Sequence, residues 1–404
     1  MRFSIAVLFI VLSSTGLYAQ LVNIDGRMNV ITTAVPFLTI TPDSRSGALG
    51  DAGVALDPDA NTIHWNPAKL AYMKNPFGIS LSYTPWLKNL VPDINLNYLS
   101  GYYKIDEMSG FGASLRYFTL GEINFTDINN QSLGSFSPNE IAIDGAYARK
   151  LSDNFSIGIA LRFIYSNLTG GINTSGTETR PGTTFAGDAS WYYRKKDVEV
   201  AGYDADWSLG MNIQNMGAKI SYIKDQDADF IPINLKFGGY FNFHIDDYNE
   251  IAIVADVNKL LVPTLPYVDP DSIGPNNEPV IVIGKNPNVG VPQGMVQSFY
   301  DAPGLIDENG EYTLTPFAEE LREINPSIGL EYWYARTFAL RAGYFYEHPT
   351  KGNRQFVTLG FGVKYNTLTL DFSYLVDASR GAWGTSPLAN TIRFSLKFNF
   401  NDSQ

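Results

Sequence analysis

From Phe77 to Phe400 this chain repeats one pattern, apolar residues at every second position over stretches of about ten residues, the length that a tilted strand needs to cross a bilayer. The final stretch shows it most cleanly: Ile392, Phe394, Leu396, Phe398 and Phe400 alternate with Arg393, Ser395, Lys397 and Asn399. Leu368, Leu370, Phe372, Tyr374 and Val376 repeat it, as do Phe155, Ile157, Ile159, Leu161, Phe163 and Tyr165. Successive side chains of a strand point to opposite faces, so each stretch reads as a pleated strand with one apolar and one polar side. The sequence holds fourteen such candidates, at 77–87, 94–105, 110–121, 140–150, 155–167, 205–215, 217–223, 232–243, 249–258, 326–335, 338–348, 354–365, 367–377 and 389–400.

A soluble sandwich would alternate in the same way, and the links between strands separate the two folds. Tight turns follow the even-numbered strands at Asp106–Ser109, Leu151–Asn154, Met216 and Ala335–Thr337. Longer or irregular links follow the odd-numbered ones at 122–139, 166–204, 224–231, 259–325 and 378–388. Short turns on one rim, long loops on the other and an even strand count specify an outer-membrane barrel. Composition agrees: charged residues make up 17% of the chain, against roughly 25% in ordinary soluble domains. Beyond the N-terminus no apolar run reaches the roughly 18 residues of a spanning helix. Tyr83, Trp86, Tyr98, Tyr102, Tyr103, Tyr117, Trp191, Tyr192, Tyr193, Tyr332, Trp333, Tyr334, Tyr344 and Tyr346 fall at or near strand ends, where a barrel carries its aromatic girdles. The expected fold class is all-β, a 14-stranded antiparallel transmembrane β-barrel.

Other features set domains and narrow the chemistry. Arg2, the apolar stretch Phe3–Leu12 and the small residues ending at Ala19 read as a secretory signal over 1–19. Residues 20–76 are too irregular for a barrel wall, leaving 77–404 for the barrel and its loops; the family resemblance given below implies that 20–76 are a plug. With no Cys, thiolate chemistry and disulfides are excluded, and a formal net charge of −12 argues against nucleic acid as a partner. The only histidines, His64, His244 and His348, are scattered. Asp57-x-Asp59-x-Asn61 and Asp225-x-Asp227-x-Asp229 begin like calcium loops but lack the glycine and the distal glutamate, so both read as solvated turns. Ser221-x-x-Lys224 and Ser152-Asp153-Asn154 stand in the wrong order for a β-lactamase. No catalytic residue, metal site or cofactor is expected.

The link 259–325 is different, because more than about fifteen residues without secondary structure are unusual unless they are functional. Its prolines favour extended conformers, Val280-Ile281-Val282-Ile283 is a β-prone run able to join a partner's sheet, and Met295, Val296 and Phe299 suit a partner contact. The same loop could instead fold inward and constrict the barrel.

Two motifs then point to relatives. Ser46-Gly47-Ala48-Leu49-Gly50-Asp51-Ala52-Gly53, followed by His64-Trp65-Asn66-Pro67-Ala68-Lys69-Leu70, resembles the N-terminal hatch of the long-chain fatty-acid transporter (FadL-like) family of fourteen-stranded barrels. Ser298-Phe299-Tyr300-Asp301-Ala302-Pro303-Gly304, with the helix-like Thr315–Ile324, resembles the PorV family of the type IX secretion system. Leu305 stands where that family has a second glycine, and Asp307–Leu314 is an insertion. The resemblance implies a carrier in the bacterial outer membrane, embedded in its lipid with loops facing the exterior. Such a carrier takes cargo by its C-terminal signal domain from a SprA/Sov-type translocon barrel and passes it to a PorU-type sortase and attachment complex. It implies a structural plug motif of Gly50, Asp51, Gly53, Trp65, Asn66, Pro67 and Ala68, and a partner or cargo loop carrying Val280, Ile281, Met295, Phe299, Tyr300, Asp301 and Pro303. The wider family implies an alternative, passive uptake of hydrophobic small molecules.

Overall fold

A strand in lipid must have both edges paired, since no water is present to satisfy its backbone, and barrel closure is the solution found here. The computed structural model describes residues 28–86, 93–126, 132–170, 179–200, 202–223, 228–273, 279–306, 311–379 and 390–400. Along the chain run β1 (Phe77–Pro85), β2 (Ile94–Lys104), β3 (Ser109–Leu120), β4 (Ile123–Thr126), β5 (Ser132–Phe136), β6 (Asn139–Lys150) and β7 (Phe155–Asn167). Next come β8 (Gly182–Val200), β9 (Tyr203–Gly217), β10 (Asn234–His244), β11 (Asn249–Leu260), β12 (Tyr267–Ile273), β13 (Pro279–Ile283), β14 (Leu305–Ile306) and β15 (Tyr312–Leu314). The last are β16 (Asn325–Tyr334), β17 (Phe338–Tyr346), β18 (Gln355–Tyr365), β19 (Leu368–Asp377) and β20 (Ile392–Phe400). Fourteen strands close an antiparallel barrel in the order β1-β2-β3-β6-β7-β8-β9-β10-β11-β16-β17-β18-β19-β20, and β20 returns to β1 with Phe77 opposite Phe400. The remaining six form separate hairpins, β4 with β5, β12 with β13 and β14 with β15, within the long links.

The strand count matches expectation, but one strand was misplaced. Residues 182–200, read as part of a loop, form β8, while of 217–223, read as a strand, only Gly217 belongs to the wall, as the last residue of β9. The outward positions of β8 include Thr183, Gly187 and Ala189 beside Phe185 and Trp191, so its lipid face lacks the apolar period that betrayed the other strands. Residues 217–223 owe their hydrophobicity to Ile220, which is buried in an apolar cluster at the barrel mouth with Phe230 and Ile231. No turn falls at Met216, since β9 passes through it, and β8 meets β9 where Val200 pairs with Tyr203. Turns and long links still alternate, because the two errors offset each other.

The barrel is inverted relative to a soluble protein, with apolar side chains outside and polar ones inside. Leu161 and Phe185 are 72% and 71% exposed, whereas Arg116, Asp188, Arg341 and Asp371 are buried. Parity also corrects the girdle: Tyr98, Tyr102 and Tyr192 occupy inward positions and are buried in the lumen. Outward Tyr83, Asn97, Tyr117, Ile141 and Tyr165 do form one register row near the long-loop ends of β1 to β7.

Residues 28–76 run through the lumen from the long-loop end to the short-turn end, doubling back between Asp57 and Trp65. At the long-loop end Asn29 N donates to Thr350 O (3.0 Å) and Ala34 N to Phe230 O (2.9 Å). Phe37 stacks on Phe118 farther in, and two short helices follow, α1 (Ser44–Gly47) and α2 (Thr62–Trp65). A 3-10 turn, Pro67–Tyr72, ends the passage with Leu70 against Gly110 and Gly112 and Tyr72 against Tyr192, beside the short-turn end where β1 begins.

Candidate functional site: a filled lumen and a folded external loop

The glycine-rich and Asn-Pro-Ala motifs meet in the lumen as one joint. Asp43 caps α1, accepting from Ser46 N (2.9 Å), and its other oxygen accepts from Trp65 Nε1 (2.6 Å). Gly53 N and Val54 N both donate to Asp256 Oδ2 (2.6 and 2.9 Å), while Gly53 O accepts from Lys69 Nζ (2.8 Å). The face of Gly53 is covered by the Trp65 ring. Asn66 Nδ2 donates to Val54 O (3.1 Å) and to Trp191 O of the wall (3.0 Å), and its Oδ1 accepts from Ala68 N (3.0 Å). Pro67 opens the 3-10 turn, where its missing N–H costs nothing. Gly50 (φ 71°) and Asp51 (φ 60°) take the left-handed turn that lays this backbone on Gly343, so close that neither glycine leaves space for a Cβ.

Around this joint lie charges that, Asp59 apart, sequence reasoning did not single out. Arg45 pairs with Glu331 (2.8 Å), Glu331 with Arg341 (3.0 Å), Arg341 with Asp371 (2.7 Å) and Asp371 with Lys397 (2.8 Å). Lys397 pairs with Asp59 (3.1 Å), which returns to Arg45 at 3.9 Å, so six alternating charges close a ring between the lumenal segment and β16 to β20. Asp59 is thus an ion-pair partner inside the barrel and not part of a solvated turn; Asp225 and Asp227 lie outside the described residues. On the opposite wall Arg162 pairs with Asp144 and Asp188, and Arg116 donates to Leu38 O (2.8 Å) and meets His64 Nδ1 (2.7 Å). Losing one partner of such a buried pair typically costs about 3–5 kcal/mol, because the other charge is left unsolvated. The available signal was charge at the polar positions of alternating strands.

Among the described residues, two cavities beside this filling share no lining residue. One, about 640 Å3, lies toward the long loops between an apolar wall that includes Phe37, Ile40, Phe118 and Phe356 and a charged one that includes Lys236 and Arg393. The other, about 470 Å3, lies toward the short turns and is polar, with Lys74, Lys196, Arg336 and Asp57 among its lining.

The long link is folded, contrary to the expectation of a structureless segment. It contains β12 to β15 and two helices, α3 (Val291–Gln297) and α4 (Pro316–Leu321). Its base is a buried polar network. Lys259 Nζ reaches Glu320 (3.1 Å) and Glu323 (2.7 Å), Lys351 Nζ reaches Glu319 (2.7 Å) and Glu323 (2.9 Å), and Thr264 Oγ1 donates to Glu323 (2.7 Å). Asp301 Oδ2 accepts from Thr264 N (3.2 Å) and Gln297 Nε2 (3.4 Å). Burial, then the nearby charges of Glu320 and Glu323, push the Asp301 carboxyl up to about 6. Burial also raises Glu323, but Lys259 and Lys351 outweigh it and hold that carboxyl below its usual range.

The residues picked from the loop therefore divide. Val280, Ile281, Phe299 and Tyr300 are exposed, whereas Asp301 and Pro303 are buried and Met295 packs with Val291 against the apolar cluster at the mouth. Those last three hold the loop's own fold, since a polar network and an apolar cap draw their side chains inward. The loop faces both ways, one side closing over the lumen and the other turned outward. His64, His244 and His348 lie in the lumen, near the short turns and near the long loops respectively.

A closed antiparallel barrel with an apolar outer face, long links on one rim and a lumen filled by its own chain is an outer-membrane barrel. The family model described as "Type IX secretion system protein PorV" matches residues 23–267, more than half of the sequence, and the chain belongs to the PorV family. It is thus an outer-membrane component of type IX secretion, in a family of transport proteins and not of enzymes. Among solved structures it is similar to the Pseudomonas putida toluene transporter TodX, at 13% identity over 87% of this chain and 95% of that one, with a TM-score of 0.47. It is also similar to the Ralstonia pickettii toluene transporter TbuX (11% identity, 89% and 98% covered, TM-score 0.46). A Pseudomonas aeruginosa FadL homologue gives 10% identity, 90% and 99% coverage and a TM-score of 0.45. No curated protein matches.

Proposed function

We propose that this chain is the cargo carrier of type IX secretion. Its long links face the cell exterior, its outward loop surface holds the C-terminal signal domain of a secreted protein leaving a SprA/Sov-type translocon barrel, and it delivers that protein to a PorU-type sortase and attachment complex. The observation that carries this reading is the pairing of a filled lumen with a loop whose base is locked by buried ion pairs while Phe299 and Tyr300 stay exposed. A barrel without an open bore offers partners its rim, and a firm base presents the apolar groups there without an ordering cost on binding. Affinity capture of the protein from outer membranes is expected to recover the translocon barrel, and deletion of the gene to leave surface cargo with its signal domain uncleaved. A deletion strain that still displays and processes that cargo overturns the reading. The half-apolar cavity beneath the loop favours the second reading, passive uptake of hydrophobic molecules. That reading requires deletion to impair growth on a lipid or aromatic substrate instead.

A further inference from the structure

The charges that line the larger cavity pair off with one left over. Arg393 meets Asp51 (3.4 Å), Lys351 meets Glu323 (2.9 Å) and Arg354 meets Glu347 (2.7 Å). Lys236 lines the same cavity, and among the described residues it has neither an ion-pair partner nor an oxygen to donate to. It is 6% exposed, and its Nζ lies 4.4 Å from the centre of the Trp65 ring. Asp256, the next inward carboxylate on β11, is already held by Gly53 N and Val54 N. A buried ammonium without a counter-charge is costly, so the chemistry that this point asks for is an anion.

The wall beside Lys236 asks for hydrogen-bond donors. Asn234 occupies the neighbouring inward position on β10, Asn258 stands opposite Lys236 on β11, and Asn325 stands opposite Asn258 on β16. The side-chain oxygens of all three asparagines are buried without a donor, and all three residues line the cavity. Phe37, Phe118 and Phe356 give the same cavity its apolar lining. An alkyl chain ending in a carboxylate would answer Lys236 and the rings but would leave the three amide oxygens unmet. A peptide answers all of them, since it carries backbone N–H groups in series, apolar side chains and one carboxylate at its end. Chain termini are recognised elsewhere by capture of that carboxylate. A side-chain carboxylate would bring two passages of chain into about 640 Å3, whereas a terminus brings one.

We propose that this cavity receives the free C-terminus of the secreted cargo, with its terminal carboxylate on Lys236 and the N–H groups of its last residues on Asn234, Asn258 and Asn325. This rests on the cargo-carrier reading, which puts the C-terminal signal domain on the loop above. Thr32 and Pro36, both exposed, belong to the lining, so the cavity opens beside the start of the lumenal segment at the long-loop end.

The test uses the full-length protein in lipid nanodiscs and, as probe, a recombinant C-terminal signal domain from a protein that the same cells secrete, either with its native terminus or with glycines appended. The native terminus is expected to bind about ten-fold more tightly than the extended one, the least that a hydrogen bond to a charged group is worth. Lys236→Met is expected to weaken the native probe by about the same factor and to abolish the difference between the two probes, while hydrogen exchange of the 245–248 amides stays as in wild type. If both probes bind wild type equally and Lys236→Met changes nothing, the terminus inference fails and the cargo reading stands. If neither probe binds, the cargo reading fails and takes this inference with it. Dodecanoate, which has the carboxylate and the apolar chain but no N–H, is the competing probe. Dodecanoate that binds through Lys236 and leaves the affinity of the native terminus unchanged would assign the cavity to a free amphiphile and overturn the proposal.

Discussion

Asp301 shows how one carboxyl can set the firmness of the whole loop. A carboxyl raised to about 6 binds its proton more tightly in the folded loop than in the opened one. Its stabilising contribution is therefore complete below the ordinary value of 3.8 and is lost as pH rises through about 6. Glu323 has the opposite sign, since its lowered carboxyl stabilises at neutral pH and loses that effect on acidification. Asp301→Asn isolates the first effect, because the amide oxygen still accepts from Thr264 N. At pH 7.5 the amides of 298–304 are expected to gain roughly ten-fold protection against hydrogen exchange, one pKa unit's worth of free energy. At pH 3, below both the folded and the ordinary value, variant and wild type should match. Equal behaviour at both pH values would show that Asp301 ionises freely. The sequence marks Asp301 as a motif residue, yet its burial was illegible, because irregular segments carry no period that tells inside from outside.

Among the elements, the wall strands were readable because lipid and lumen impose opposite chemistries on alternate residues. β20, with five apolar positions facing one way, could be read as nothing else. β8 escaped because small residues occupy much of its lipid face, and the hairpins inside the long links were hidden by proline and acidic residues. The glycines of the hatch motif were legible as glycines but not as one half of a contact. Their counterparts lie on wall strands, where Gly343 of β17 receives Leu49 and Gly50. Gly343→Leu is expected to unseat the 47–53 segment at a cost of about 1–3 kcal/mol, the usual penalty of overpacking. The change should appear as faster hydrogen exchange over 44–56 with the barrel amides unaffected. Ala342→Leu, one residue away and lipid-facing between Leu330 and Leu359, should change nothing. Equal exchange in both variants would mean that the segment is not seated by this contact.

Across the whole molecule the direction of the lumenal segment matters most. Asn29 lies beside Thr350 and Leu265 at the long-loop rim, and Phe77 lies at the other rim opposite Tyr103. A short epitope placed just ahead of Met28 is therefore expected to be reached by antibody in intact cells, as one in the link 347–354 would be. One in the turn 245–248 should require permeabilised cells, and finding the Met28 epitope only there would reverse the threading. The threading has its own consequence. A hoop sealed along the β1–β20 seam has a strand of the same chain passed through its middle, so the strand cannot leave sideways while the seam holds. Once the hoop is fastened, that segment can enter or leave only lengthwise, past the ion pairs that Arg45 and Asp59 make with β16 and β20.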